Sequence, residues 1–77
     1  MADISYDILK NFGTISVERG GWKKELTLVS WNGRSPKFDV REWAPDHEKM
    51  GKGITLTREE AEILMNLLKG ALEGESE

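Results

Sequence analysis

Thr57-Arg58-Glu59-Glu60-Ala61-Glu62-Ile63-Leu64-Met65-Asn66-Leu67-Leu68 decides how the chain divides. Thr57 and Glu60 stand in capping-box spacing, with the hydroxyl placed to accept from the Glu60 amide and the carboxylate placed to reach back to the Thr57 amide. A helix starts there. Ala61, Leu64, Met65, Leu68, Ala71 and Leu72 recur at the helical period and form one apolar stripe, with Ile63 and Leu67 outside it. Eight of the twelve residues from Ala61 to Leu72 are apolar, an arc wider than a four-stranded sheet covers, so Ile63 and Leu67 are expected at a dimer interface. Gly70 weakens the last turn by about 1 kcal/mol relative to Ala. Gly74 is placed to end the helix, ahead of an acidic tail over about residues 73–77 that is expected to fray.

Upstream of this helix the chain reads as short strands divided by turn chemistry: Gly20-Gly21, then Asn32-Gly33 with Ser35-Pro36, then Ala44-Pro45-Asp46. The strands run from about Ile4 to Val17 with a bend at Gly13, from Lys23 to Trp31, from Lys37 to Trp43 and from Met50 to Leu56. Four successive strands with short connections predict an antiparallel meander, and the helix after them makes an α+β fold of ββββα order. Residues 1–77 form one domain in this reading.

Alternation along the strands sorts side chains onto two faces. Leu26 and Leu28 share a side, as do Phe38 and Val40, and these four are the expected core under the helix. The opposite face carries Lys23 and Trp31 from the second strand and Lys37, Arg41 and Trp43 from the third.

Composition limits what such a domain does. The 77 residues are 38% hydrophobic and 32% charged, the balance of a soluble domain. A chain this short buries only about 60% of its unfolded surface, and it has no Cys for disulfides, so association between subunits is the expected further source of stability. No apolar run spans a bilayer, and Met1-Ala2-Asp3-Ile4-Ser5 does not begin a secretory signal, which points to a cytoplasmic protein without membrane contact. The net charge of −3 is uneven. Residues 19–53 hold eight bases against five acids, and residues 54–77 hold two bases against six acids.

Aromatic rings among cations on an uncovered sheet face suit single-stranded nucleic acid, since unpaired bases expose flat surfaces to stack and the backbone needs neutralising charge. The same Trp31 and Trp43 also fit a packed core or a dimer seam with the cations merely solvated. Lys49-Met50-Gly51-Lys52-Gly53 sets two cations around glycines, suited either to a passing phosphate or to a turn with positive φ. Trp22 fits the sheet edge, or the charged surface beside Lys23 and Lys24. Asp46-His47-Glu48 holds the single His and reads as a solvated turn. Neither metal-ligand spacing nor a nucleophile elbow occurs, so no enzyme, metal or cofactor is expected.

The segments Gly21-Trp22-Lys23-Lys24-Glu25-Leu26, Val29-Ser30-Trp31-Asn32 and KFDVREWAPDHEKMGKGITL over residues 37–56, followed by the amphipathic helix, resemble the positive transcriptional coactivator four family, in its YdbC-like bacterial branch. The resemblance runs over roughly residues 4–70. It implies a homodimer of ββββα subunits joined through their helices, binding single-stranded DNA with little sequence preference, with RNA a second candidate ligand. Arg41 matches a family arginine on the DNA face, Lys52 the lysine before a Gly-Ile pair, and Trp31 and Trp43 aromatic positions at two strand ends. Eukaryotic members carry a further aromatic where this chain has Ala44. The resemblance therefore favours stacking for both tryptophans, with Lys23, Lys24, Lys37, Arg41, Lys49 and Lys52 contacting the strand. The alternative is a protein-interaction module using the helix arc and the Trp face.

Overall fold

Turn chemistry sets the strand ends. In the computed structural model, which describes residues 4–75, β1 (Tyr6–Val17), β2 (Lys23–Trp31), β3 (Lys37–Trp43) and β4 (Met50–Leu56) form one antiparallel sheet in the order β1-β2-β3-β4, and α1 (Arg58–Glu75) follows. The β1–β2 connection is a 3-10 turn over Arg19–Gly21, with Gly20 and Gly21 at φ 68° and 83°. Asn32 and Gly33, both at positive φ, make the β2–β3 turn, and the Arg34 amide donates to the Trp31 carbonyl at 2.9 Å.

The capping box forms as the spacing predicts. Glu60 N donates to Thr57 Oγ1 at 3.1 Å, and Thr57 N donates to Glu60 Oε1 at 2.8 Å. The helix does not stop at Gly74, however. It runs through Glu75, so residues 73–75 are helical rather than a frayed tail, and residues 76 and 77 lie outside the described part.

β2 and β3 pair without interruption, from Lys23 opposite Trp43 to Val29 opposite Lys37. β1 is different: its twelve residues meet the nine of β2 through three register shifts, at Ile8/Lys10, Asn11/Gly13 and Thr14/Ser16. Each shift adds a residue on one side and increases local twist. The bend expected at Gly13 is thus spread along the whole edge strand, and the sheet curls away from the helix.

This curl inverts the expected core. Val29, Trp43, Thr27 and Asp39 are wholly enclosed and Glu25 nearly so, and all five lie on the face away from the helix. Leu26, Leu28, Phe38 and Val40, the expected core, are only half-buried. An apolar cleft of about 650 Å³ separates α1 from the sheet, bounded by Leu26, Phe38 and Val40 on one side and Leu64, Met65 and Leu68 on the other. The helix leaves Leu67 65% and Leu72 64% exposed. The radius of gyration, 14.1 Å, exceeds the roughly 11.5 Å of a compact chain of this length. The exposed area, 6039 Å², exceeds the roughly 4,700 Å² of a folded monomer of 8.7 kDa.

Candidate nucleic-acid interface

The site lies on the curled face and is built around Asp39. Its carboxylate is completely buried, which demands a full set of donors. Arg41, two residues along β3 and therefore on the same face, gives Nε to Oδ2 at 2.9 Å and Nη2 to Oδ1 at 3.2 Å. Thr55 Oγ1 donates to Oδ1 at 2.8 Å. The guanidinium then crosses β4, where Nη1 donates to the Gly51 carbonyl at 3.1 Å.

Gly53 permits that crossing. It pairs with Arg41 in the ladder, and a Cβ there would stand 2.5 Å from the Val40 carbonyl and 2.6 Å from Arg41 Cβ. Neither Gly51 nor Gly53 is among the glycines with positive φ. The Lys49–Gly53 stretch is accordingly not a glycine turn. From Met50 onward it is strand, and its second glycine makes room for an arginine stem.

So fixed, the Arg41 guanidinium sits over the Trp31 ring, 5.2 Å from its centroid. Tyr6 touches the same indole at 5.8 Å. Trp31 is half-buried and borders an open hollow of about 290 Å³ that Arg41, Met50 and Thr55 also line. One indole of the expected pair is therefore partly open beside a cation.

Trp43 is not. The expectation that it presents an open stacking face is corrected: its exposure is 0%. The curl brings Tyr6 to 5.3 Å and His47 to 5.7 Å from its ring. Tyr6 Oη donates to the His47 carbonyl at 2.6 Å, tying β1 to the β3–β4 loop above the indole. His47 Nε2 meets the buried Glu25 Oε1 at 2.8 Å, so within the Asp46-His47-Glu48 turn the imidazole is anchored while Asp46 and Glu48 are exposed as expected. Trp43 Nε1, Thr27 Oγ1 and also Trp31 Nε1 are enclosed without a hydrogen-bond partner among the described residues, at a desolvation cost of about 1–3 kcal/mol each.

The expected cations do not gather on one face. Lys37 is exposed and pairs with Val29, close to Trp31. Lys23, also exposed, shares the face but stands six residues further along β2 from Val29, about 20 Å away. Lys49 is exposed just before β4. Lys24 and Lys52 instead border a second hollow of about 500 Å³ with Val40, Glu42, Ile54 and the Arg41–Gly53 pair, and alternation puts Lys24 and Glu42 on the helix side. Trp22 packs at the sheet edge near Gly51, whose Cβ would lie 3.6 Å from the indole. Ile63 and Leu67 are both exposed on α1.

Sequence reasoning passed over Tyr6, Glu25, Asp39 and Thr55. Asp39 carried a readable signal, a carboxylate two residues from Arg41 on one strand face. Tyr6 carried none, because its contacts with Trp43 and His47 join positions far apart in the chain with no local pattern to mark them.

No helix among the described residues is long and apolar enough to cross a membrane. A protein of Treponema pallidum (strain Nichols), described as uncharacterized, is 52% identical over 66 residues, covering 86% of this chain and 78% of the relative. The family model for Transcriptional Coactivator p15 (PC4) matches residues 18–67, which takes in β2, β3, β4 and the first half of α1. With its fold, its signature strands and more than half of its length in agreement, the chain belongs to the PC4 family.

Proposed function

We propose that this protein is a non-enzymatic homodimer that binds single-stranded DNA with little overall sequence preference. Membership of the PC4 family supports a nucleic-acid-binding or transcriptional cofactor role. The observation that carries the finer reading is the half-open Trp31 indole beneath an Arg41 guanidinium that Asp39 holds in place. A base stacks on such a ring whatever its identity, with about 1–3 kcal/mol per stacked base. Lys37 and Lys49 neutralise phosphates near this platform, and Lys23 does so further along the same face. Lys24 and Lys52, on the second hollow that Arg41 also borders, add to the attracting field. Trp43 acts beneath the platform as packing.

The second copy is supported by the open cleft. The area in excess of a folded monomer is roughly 1,300 Å², while a standard interface takes about 800 Å² from each partner. A second helix and sheet covering Leu64, Met65 and Leu68, with Ile63 and Leu67 alongside, would bury it. The same apolar surface favours a protein-interaction module as the second reading.

Titration with an oligo-dT while following Trp fluorescence tests the proposal. Binding should quench the signal and weaken steeply with salt, and a duplex of the same length should bind more weakly. Silence with oligo-dT, or affinity indifferent to salt, refutes single-strand binding and favours the interaction module. An RNA oligomer in the same titration measures how far the platform discriminates the sugar.

A further inference from the structure

We propose that the hollow beside Trp31 takes one base of the bound strand and that Asn32 selects there for a base with a carbonyl oxygen, thymine or guanine over adenine. This rests on the single-strand reading above. It adds one selective position to an otherwise tolerant surface.

The hollow is bounded by Ile4, Trp31, Asn32, Arg41, Met50 and Thr55. Three of these are apolar or aromatic, which suits the faces of a base. The three polar ones differ in what they still offer. Asn32 is held in the left-handed region at φ 52°, where its backbone N donates to the Ser5 carbonyl at 2.8 Å. Its side-chain Oδ1 accepts from Ser5 N at 3.0 Å and from Ser5 Oγ at 3.4 Å. That fixes the amide orientation, and among the described residues its two Nδ2 hydrogens have no acceptor.

Arg41 spends three of its five N–H groups, on Asp39 and on the Gly51 carbonyl. One hydrogen remains on each terminal nitrogen. Thr55 spends its hydroxyl hydrogen on Asp39. The hollow is therefore rich in free donors.

Asparagine usually reads adenine with its oxygen and nitrogen together, on N6 and N7. Here that pairing is closed, because the oxygen is committed to Ser5. An adenine amino group would find only the Thr55 hydroxyl oxygen as an acceptor among these side chains and would otherwise face N–H groups, losing hydrogen bonds to water. Thymine O4 and O2, or guanine O6 with N7, offer two acceptors to these donors, whereas adenine N7 or N1 offers one beside its amino donor.

The test compares dT and dA oligomers of equal length on the full chain and on Asn32→Gly and Asn32→Asp. Gly takes the positive φ without strain and removes the amide. Asp keeps an acceptor for Ser5 but presents no donor. The ratio of the dA to the dT dissociation constant cancels the stacking of the free oligomers when compared between proteins. In Asn32→Gly that ratio should fall about tenfold from the wild-type value, through weaker dT binding, with dA affinity nearly unchanged. Asn32→Asp weakens both through its charge and should lower the ratio as well.

A ratio unchanged in either variant overturns the assignment. A fall in Asn32→Gly alone would place the effect in the tie to Ser5 and also overturn it. If wild type binds both oligomers with equal ratios across all three proteins, only this inference fails. If wild type binds neither, the single-strand reading fails with it.

Discussion

The two faces of the sheet contradict their hydropathy. The face carrying Glu25, Thr27 and Asp39 is the enclosed one, and the face carrying Leu26, Leu28, Phe38 and Val40 stands half open beneath a helix that keeps its distance. A single chain would not settle this way if burial of apolar area were its only driving force. On the curled side, each buried charge has a partner: Arg41 and Thr55 for Asp39, His47 for Glu25. Polar residues are tolerated inside when their hydrogen bonds are made, and Thr27 Oγ1 is the enclosed polar side chain of these three that lacks one among the described residues. On the helix side, what is absent is a second apolar surface, and the proposed dimer supplies it. In that proposed dimer, one face is completed within the subunit and the other between subunits.

The largest expected effect falls on the completed face. Trp43→Ala removes a wholly enclosed indole and the surface on which Tyr6 and His47 rest, at a cost of about 3–5 kcal/mol. That is most of the stability of a small domain, so circular dichroism at 25 °C should show a largely unfolded chain. A cooperative melt close to that of wild type would mean that the curl closes without the indole.

Gly53→Ala should act next most strongly. Its Cβ would press on the Val40 carbonyl and the Arg41 stem, and such overpacking costs about 1–3 kcal/mol. The variant should melt earlier and also lose Trp31-dependent quenching by oligo-dT, because Arg41 is displaced. Loss of stability with unaltered quenching would separate Gly53 from the platform.

On the open face, Leu68→Glu should leave the curled core intact while preventing association. Leu68 is half exposed in the subunit and lines the cleft. Sedimentation should therefore report a dimer for wild type and a monomer for the variant, and wild-type stability should rise with protein concentration while that of the variant does not. A wild-type monomer at high micromolar concentration would break the comparison at its other end.

Much of this architecture was legible beforehand, and the illegible remainder has a physical cause. The bounds of β2, β3 and β4 followed from turn residues and alternation, and Thr57 with Glu60 marked the helix start, because these signals are local. Alternation also placed Trp31 and Trp43 on one face, but it could not separate them. They differ because the β3–β4 loop, tied down by the Tyr6–His47 hydrogen bond, covers Trp43, while Trp31 lies at the β2–β3 turn beside the open hollow. That cover rests on a hydrogen bond spanning 41 residues, which has no sequence period. The end of α1 was misjudged for a related reason: Gly74 permits a stop but does not impose one.

The smallest effect is the most discriminating between the faces. Lys37 and Lys24 are both strand lysines of β3 and β2, but Lys37 shares the face of Trp31 whereas Lys24 lies on that of Leu26 beside Glu42. If the strand follows the Trp31–Arg41 platform, Lys37→Ala removes one phosphate contact and should lower the slope of log affinity against log salt by about 0.7. Lys24→Ala should leave the slope nearly unchanged and lower affinity slightly at all salt concentrations, as expected for a charge that attracts without touching. Equal slope losses would mean that the strand passes around the sheet edge to both faces. A loss confined to Lys24→Ala would move the binding path to the helix side and leave Trp31 as packing.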